Sequence, residues 1–225
     1  MDGILGTTAM DQLLQVLEEA FEGQRPQAFS EPDRLPDLPN DRLRGPGSYY
    51  AYLKIAEGCD KHCTYCVIPS VRGKYRSVPM EELLTEARKL AEQGVSELIL
   101  VAQETAGYGK DLYGEKRLPE LLARLADISG IEVIRLLYCY PEEITAELIA
   151  EMKRNPKIAH YLDIPVQHAS DQVLRRMGRR TTNREIRDVI GALRREIPDI
   201  ALRTTLIAGF PGETEEDLED RKSVV

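Results

Sequence analysis

Residues 97–138 read ELILVAQETAGYGKDLYGEKRLPELLARLADISGIEVIRLLY, and their reading decides the fold. ELILVA (97–102) is a short continuous apolar run, the pattern of a buried strand. A polar, glycine-containing stretch follows, beginning AQETAGYG. LPELLARLADI (118–128) then repeats leucine at helical spacing, and EVIRLLY (132–138) is strand-like again. Two strands joined through a helix are joined by a crossover long enough to make them parallel.

The same unit recurs on both sides. Upstream, YAYLKIAE (50–57) alternates like a strand. A helix from Pro79 to Gln93 follows, with proline in its first turn and Gly94 just past its end. Downstream, PEEITAELIAEMKRN (141–155) reads as a helix stopped by Pro156, and YLDIPV (161–166) as a strand. Thr182 and Glu185 form a capping-box pattern for a helix running to about Ile197. IALRTTLIAG (200–209) is a fifth strand, and TEEDLEDRK starts another helix. The expectation is an α/β fold: a parallel sheet with helices outside it. Five units are too few for an eight-stranded barrel, so a partial parallel (βα) barrel or an open sheet follows. A sixth strand is the natural next element, and without it the fifth strand has an unpaired edge. No solenoid-type repeat is present.

Before Tyr49 the pattern differs. GILG is a short apolar strand, and MDQLLQVLEEAFEG an amphipathic helix with Leu13, Leu14, Leu17 and Phe21 on one face. Residues 24–48 hold five of the thirteen prolines and no periodicity. The expected division is a strand and helix over 1–24, a linker over 25–48, and the main α/β domain over 49–225.

Composition bounds the function. The 225 residues carry a net charge of −8, which argues against broad non-specific nucleic-acid binding. One basic stretch, RRMGRRTTNREIR (175–187), has six arginines. It reads either as a solvated helix–loop–helix face or as a docking patch for an acidic or RNA-rich partner. No apolar run approaches a membrane span, and the first residues lack the basic start and apolar core of a signal peptide. The expected location is the cytoplasm, with no membrane partner. Thiols stay reduced there, so four cysteines point to metal or redox chemistry rather than to a disulfide framework.

In parallel α/β folds function gathers at the carboxyl ends of the strands. The polar loops fall at those ends: EGCDKHCTYC, AQETAGYG, YCYP, PVQHASD and AGFPGETEED. The first is the most specific, because Cys59, Cys63 and Cys66 form a C-x3-C-x2-C loop with three of the four cysteines in the chain. A closed zinc site wants four ligands, so His62 or Cys139 would have to complete it. An iron–sulfur cluster held by three cysteines keeps one iron without a protein ligand, which leaves a position for a reactant. A third reading leaves the thiols as ordinary buried residues.

The C-x3-C-x2-C loop after the first strand resembles the signature of the radical S-adenosylmethionine superfamily. That resemblance implies a six-stranded partial barrel, of which five strands are visible. It implies a 4Fe-4S cluster on Cys59, Cys63 and Cys66, with S-adenosylmethionine chelating the fourth iron and yielding a 5′-deoxyadenosyl radical. EGCDKHCTYCVIPSVRGKYRSVP further resembles the methylthiotransferases. VRGKYRSVPMEEL, DLYGEKRLPELL, IRLLYCYPEEIT, YLDIPVQHASDQVL and IPDIALRTTLIAGFPGETEEDLE are similar to the branch that modifies an aspartate β-carbon of a small-subunit ribosomal protein. The alternative is the branch acting on a tRNA adenosine, the one case implying a nucleic-acid partner. An alternative of another class is a zinc-stabilised binding module without catalysis.

The family's cofactor contacts carry over to matching positions only. Gln103 and Glu104 after the second strand match groups that hold the cofactor's amino group, or they cap their loop. Gln167, Ser170 and Asp171 after the fourth match ribose contacts, although the Ser170 hydroxyl also fits a helix N-cap. Gly209, with Pro211 and Gly212, resembles the turn that passes the adenine. Arg203 faces the mouth and neutralises a carboxylate, or faces solvent. His168 is expected to stabilise its loop, Tyr65 and Val67 to pack over the cluster, and Cys139 to be a small buried residue. The resemblance also implies an electron donor such as flavodoxin or ferredoxin. Full-length members carry an N-terminal domain with a second 4Fe-4S cluster and a C-terminal substrate-binding β-barrel. Residues 1–24 resemble only the last strand and helix of the former, so the chain is expected to be a fragment truncated in its radical domain and not competent for sulfur insertion.

Overall fold

The computed structural model describes residues 1–34 and 47–222. Residues 35–46, half of the expected linker, lie outside the described residues. A central sheet of five parallel strands runs in chain order: β1 (Tyr50–Lys54), β2 (Glu97–Val101), β3 (Val133–Leu136), β4 (Ile158–Asp163) and β5 (Ala201–Arg203). Every neighbouring pair is parallel, as the helical crossovers require. The architecture is a partial (βα) barrel, with β1 and β5 at the two edges of the described sheet.

The two faces of the sheet differ. Leu53, Leu98, Leu100, Ile134, Leu136 and Leu162 point to one side and are fully buried. They join Leu83, Leu84 and Leu90 of helix Met80–Glu92, Leu121, Leu122 and Leu125 of Leu118–Ala126, Leu148 and Met152 of Ala146–Arg154, and Ile186 and Leu193 of Asn183–Glu196 in one core. Burying each such side chain is worth roughly 2 kcal/mol. Alternate residues line the other, inner face, where Tyr50 and Tyr52 are exposed and Ile99 and Val101 half-buried. The ELILVA strand is therefore covered on one side only. The inner face carries polar pairs instead: Arg135 Nε donates to Glu97 Oε1 at 2.8 Å and its guanidinium lies over the Tyr161 ring.

Several boundaries differ from the sequence pattern for local reasons. The β4 strand begins and ends about three residues earlier than YLDIPV, because Pro165 has no N–H to give the ladder. The β5 strand stops at Arg203, where Thr204 Oγ1 donates to the Ile164 carbonyl and accepts the Val166 N–H, replacing ladder bonds with a side chain. The helix expected over 141–155 is split. Pro141–Glu143 is a 3-10 turn, and Thr145 caps Ala146–Arg154 by accepting the Leu148 N–H. The capping box at Thr182 and Glu185 is present with both hydrogen bonds. A short helix, Asp171–Arg176, falls inside the arginine-rich stretch.

At the N-terminus Ile4–Leu5 pairs in parallel with Gln27–Ala28, so the segment read as linker begins as a strand. Helix Leu13–Phe21 forms, yet its buried residue is Val16, while Leu13, Leu14, Leu17 and Phe21 are exposed. The chain then crosses to the main domain, where Asp33 Oδ1 accepts the Lys74 N–H at 2.7 Å. No helix among the described residues is long and apolar enough to cross a membrane.

Candidate functional site

The cysteine loop is built by a break in β1. After Lys54 the chain leaves the sheet, and Ala56–Glu57 pairs antiparallel with Arg76–Ser77. Gly58 has φ +79°, and a Cβ there would overlap the Lys74 carbonyl oxygen, so only glycine fits. Cys59 N–H donates to Gly73 O at 3.2 Å and Cys66 N–H to Cys63 O at 3.0 Å. Cys59 Sγ accepts the Lys61 N–H at 3.4 Å. All four cysteines are free. Cys59 and Cys63 are buried and Cys66 is exposed. Burial first, then Glu104 and the other two thiols of the loop, push the Cys59 thiol up from its ordinary value.

Cys59 and Cys63 open on a cavity of about 580 Å³. Its wall is completed from three other strand ends: Glu104 after β2, Tyr140, Glu142 and Glu143 after β3, and Arg179 after the Asp171–Arg176 helix. Lys61 Nζ donates to Glu142 Oε1 at 3.1 Å and Glu143 Oε1 at 2.5 Å, tying the cysteine loop to the β3 loop. Glu104 is buried, with Oε1 accepting the Ala106 N–H at 2.8 Å and Oε2 the Tyr140 N–H at 3.2 Å. Burial and the nearby Glu143 charge outweigh Lys61 and the Ala106 N–H, and push its carboxyl up to about 8.

Arg179 is the most buried of four cationic residues on this wall, with Lys61, Lys110 and Arg180. It is 5% exposed, lies over the Tyr140 ring, and donates from Nη2 to Pro165 O at 3.0 Å. Its Nε and Nη1 are buried with no hydrogen bond of normal geometry. Buried donors are almost always paired, and the electrostatic neighbours of this guanidinium are the Tyr65 hydroxyl and the Glu142 carboxylate. The arginine-rich stretch thus divides. Arg175, Arg176, Arg180, Arg184 and Arg187 are exposed, and Arg179 is not.

Gln103, Gln167, Ser170, Asp171, Arg203 and Gly209 do not line this cavity, and neither does Cys66. Gln103 Oε1 accepts the Gly58 N–H at 2.8 Å, bracing the cysteine loop from β2. Gln167 has φ +69°, and its backbone bonds to Thr205 and Ile207. Tyr138, at the end of β3, has φ +59°. These are the two non-glycine residues with positive φ among the described residues, and both stand in the loops after strands, Tyr138 after β3 and Gln167 after β4. The Ser170 hydroxyl does not cap a helix. It donates to the Asp217 carboxylate. Asp171 Oδ1 accepts the Asn183 N–H at 2.6 Å. Arg203 Nη1 pairs with Asp163 Oδ2 at 2.8 Å. Gly209 has φ +70° with open space where a Cβ would go. His168 is buried, and its Nδ1 accepts the Ser170 N–H at 3.0 Å, with Glu213 facing Nε2 at 3.3 Å. Cys139 is buried. Tyr65 is partly exposed with its hydroxyl beside the Cys63 thiol, and Val67 is exposed.

Lys61, Tyr140, Glu142, Glu143 and Arg179 carried no sequence signal of their own. The Y-P-E-E run after β3 looked like a helix start, and Arg179 looked like one arginine among six. The one usable hint was Gly178 before Arg179, a turn that separates that arginine from the helix surface.

A model of the radical SAM superfamily matches residues 53–223. The ribosomal protein uS12 methylthiotransferase RimO of Lachnoclostridium phytofermentans is 60% identical over 225 residues, all of this chain and 51% of that protein. RimO of Acetivibrio thermocellus is 51% identical, over 97% of this chain and 50% of that protein. The chain therefore spans about half the length of the relatives it matches. Among solved structures, the radical S-adenosylmethionine methyltransferase TsrM of Kitasatospora setae superposes with a TM-score of 0.68 at 16% identity, over 98% of this chain and 49% of that one. At that identity the likeness speaks for the fold alone. With three thiols at the carboxyl end of the first parallel strand and a family match running from the end of β1 past β5, the chain belongs to the radical SAM superfamily.

Proposed function

We propose that this chain is the cluster- and cofactor-binding part of a methylthiotransferase that modifies an aspartate β-carbon of a small-subunit ribosomal protein. The observation that carries the reading is the 60% identity to a uS12 methylthiotransferase along the whole chain. The division into a strand and helix over 1–24, a linker over 25–48 and a radical domain from 49 belongs to the same proposal. So do the cytoplasm and an electron donor of the flavodoxin or ferredoxin type.

The residues present fit the implied group. Cys59, Cys63 and Cys66 share one loop and feel one another's charge. Yet no three metal-ligating side chains among the described residues are gathered tightly enough for a single ion. A tetrahedral zinc site with bonds of about 2.3 Å needs its sulfurs within about 4 Å of each other. Three thiols in one loop suit a cluster that keeps one iron open, whereas a closed zinc site wants four ligands. The Lys61 N–H on Cys59 Sγ is the kind of donor that steadies a thiolate. Cys59, Cys63 and Cys66 would hold the cluster, the Arg179 guanidinium would attract the carboxylate of S-adenosylmethionine, and Gln103 and Glu104 would frame the amino end. Gln167, Ser170, Asp171, Arg203 and Gly209 serve the nucleoside end. Cluster and cofactor together supply reductive cleavage and hydrogen abstraction. The fourth cysteine, Cys139, is buried and alone, so a second cluster is not served by these residues.

Anaerobic reconstitution tests this. About four irons and four sulfides per chain, as one cubane requires, with release of 5′-deoxyadenosine from S-adenosylmethionine, are expected. A colourless chain with stoichiometric zinc overturns the reading.

A further inference from the structure

The cysteine loop is fastened at a residue that ligates nothing. Thr64 stands between Cys63 and Cys66. Its N–H donates to Met177 O at 2.9 Å and its Oγ1 to Arg176 O at 3.0 Å. Both acceptors end the Asp171–Arg176 helix, where carbonyls lack helical partners. The next residue, Gly178, has φ +71°, and a Cβ there would lie 2.7 Å from His62 O. The turn and the loop therefore touch backbone to backbone at Gly178, with the Thr64 side chain beside the contact. One residue further stands Arg179, which lines the cavity.

The same helix end reaches a third loop. The Arg176 guanidinium donates to Gly212 O, and a Cβ on Gly212 would overlap it. Tyr65, next to Thr64, meets Phe210 edge-to-face with centroids 6.4 Å apart. The Met177–Arg179 turn is thus the joint at which the cysteine loop, the Arg179 guanidinium and the β5 loop are set relative to one another.

Resting on the function proposed above, we infer that Thr64 is a positioning residue: it fixes the distance between the cluster held by its neighbouring cysteines and the Arg179 guanidinium, and so sets the affinity of the site for S-adenosylmethionine. Thr64 touches neither group. Its backbone N–H bond survives substitution, and its hydroxyl bond does not. T64V keeps the shape of the side chain and removes only that donor.

The test compares wild type, T64V and T64S after anaerobic reconstitution. It reads iron and sulfide content, the electron paramagnetic resonance spectrum of the reduced cluster with and without S-adenosylmethionine, and the dissociation constant of that cofactor. T64V is expected to hold wild-type iron and to bind the cofactor about 2- to 10-fold more weakly, the range one lost hydrogen bond produces. Its spectrum should shift less on cofactor addition, and T64S should restore wild type. Gly178→Ala pushes the same joint from the other side and is expected to weaken cofactor binding at least as much. Apo-protein melting temperatures identify a variant that fails to fold, in which case Gly178→Ala decides. Wild-type affinity and spectra in T64V, or in Gly178→Ala where T64V does not fold, overturn the role of Thr64. A wild-type chain that takes up no cluster overturns the functional reading itself, and the two failures are therefore distinguishable.

Discussion

A buried charge is costly unless paired, and Arg179 is only half paired. One of its donors meets Pro165 O, its face meets Tyr140, and Nε and Nη1 are buried with no hydrogen bond of normal geometry. A residue kept for stability would be expected to satisfy them. Arg179→Met should therefore leave the melting temperature of the apo chain unchanged or raised, while weakening S-adenosylmethionine binding by tenfold or more. Calorimetry on the apo chain and equilibrium binding to the reconstituted one check the two halves. A large loss of apo stability with unchanged binding would make Arg179 structural. This residue also shows where single-residue reading stops. The three cysteines were legible because their spacing is rare and their chemistry narrow. Arg179 was not, because arginine is common on surfaces and burial is decided by a turn whose packing partner, the cysteine loop, lies more than a hundred positions away. Ser170 failed for a related reason: its hydroxyl had a local use as a cap, and a distant carboxylate, Asp217, took it instead.

Elements here are legible where one helix or strand decides its own limits, and not where two compete. The Met80–Glu92 and Asn183–Glu196 helices fall within a residue or two of their caps. The β5 strand is shorter than its apolar run because Thr204 offers the backbone a side-chain partner. The loops at the strand ends are where elements meet, and their charges set a pH dependence. Glu143, after β3, pairs with Lys116 at 2.7 Å and Lys61 at 2.5 Å, joining the loops of β3, β2 and β1. Burial pushes its carboxyl up, but the two lysines outweigh this and hold it down at about 2. Its folded value lies below the unfolded one near 4.5, so its contribution is present above about pH 4.5 and is lost as pH falls through about 2. Urea unfolding at pH 7, 4 and 2.5 should show a steeper acid loss in wild type than in Glu143→Gln. The variant should be less stable at pH 7, and the gap should close toward pH 2. Parallel pH profiles would remove Glu143 from that role.

At the scale of the molecule, alternation of strand and helix announced the parallel sheet, but it did not announce that one face stays open. Periodicity in ELILVA could not distinguish a strand covered twice from one whose Ile99 and Val101 look into a half-open barrel. The consequence is a division of labour. The core lies between the sheet and its outer helices, and its large members, such as Leu53, Leu98, Leu121 and Leu162, belong to that side. The cysteine loop lies at the opposite end of the design, held by backbone bonds from Cys59 to Gly73 and from Thr64 to Met177 and by the Lys61 ion pairs. Global stability and site order are therefore separable, and regions held by few buried apolar contacts open first. Stripping the cluster with a chelator should lower the global melting temperature by only a few degrees, since a bound group adds stability only as far as it favours the folded state. Amide hydrogen exchange should nonetheless speed up across residues 58–75 and 138–143, while Leu98, Leu100, Leu121 and Leu122 stay protected. If stripping instead released exchange throughout the sheet, the cluster would be part of the core, and the separation argued from the packing would be wrong.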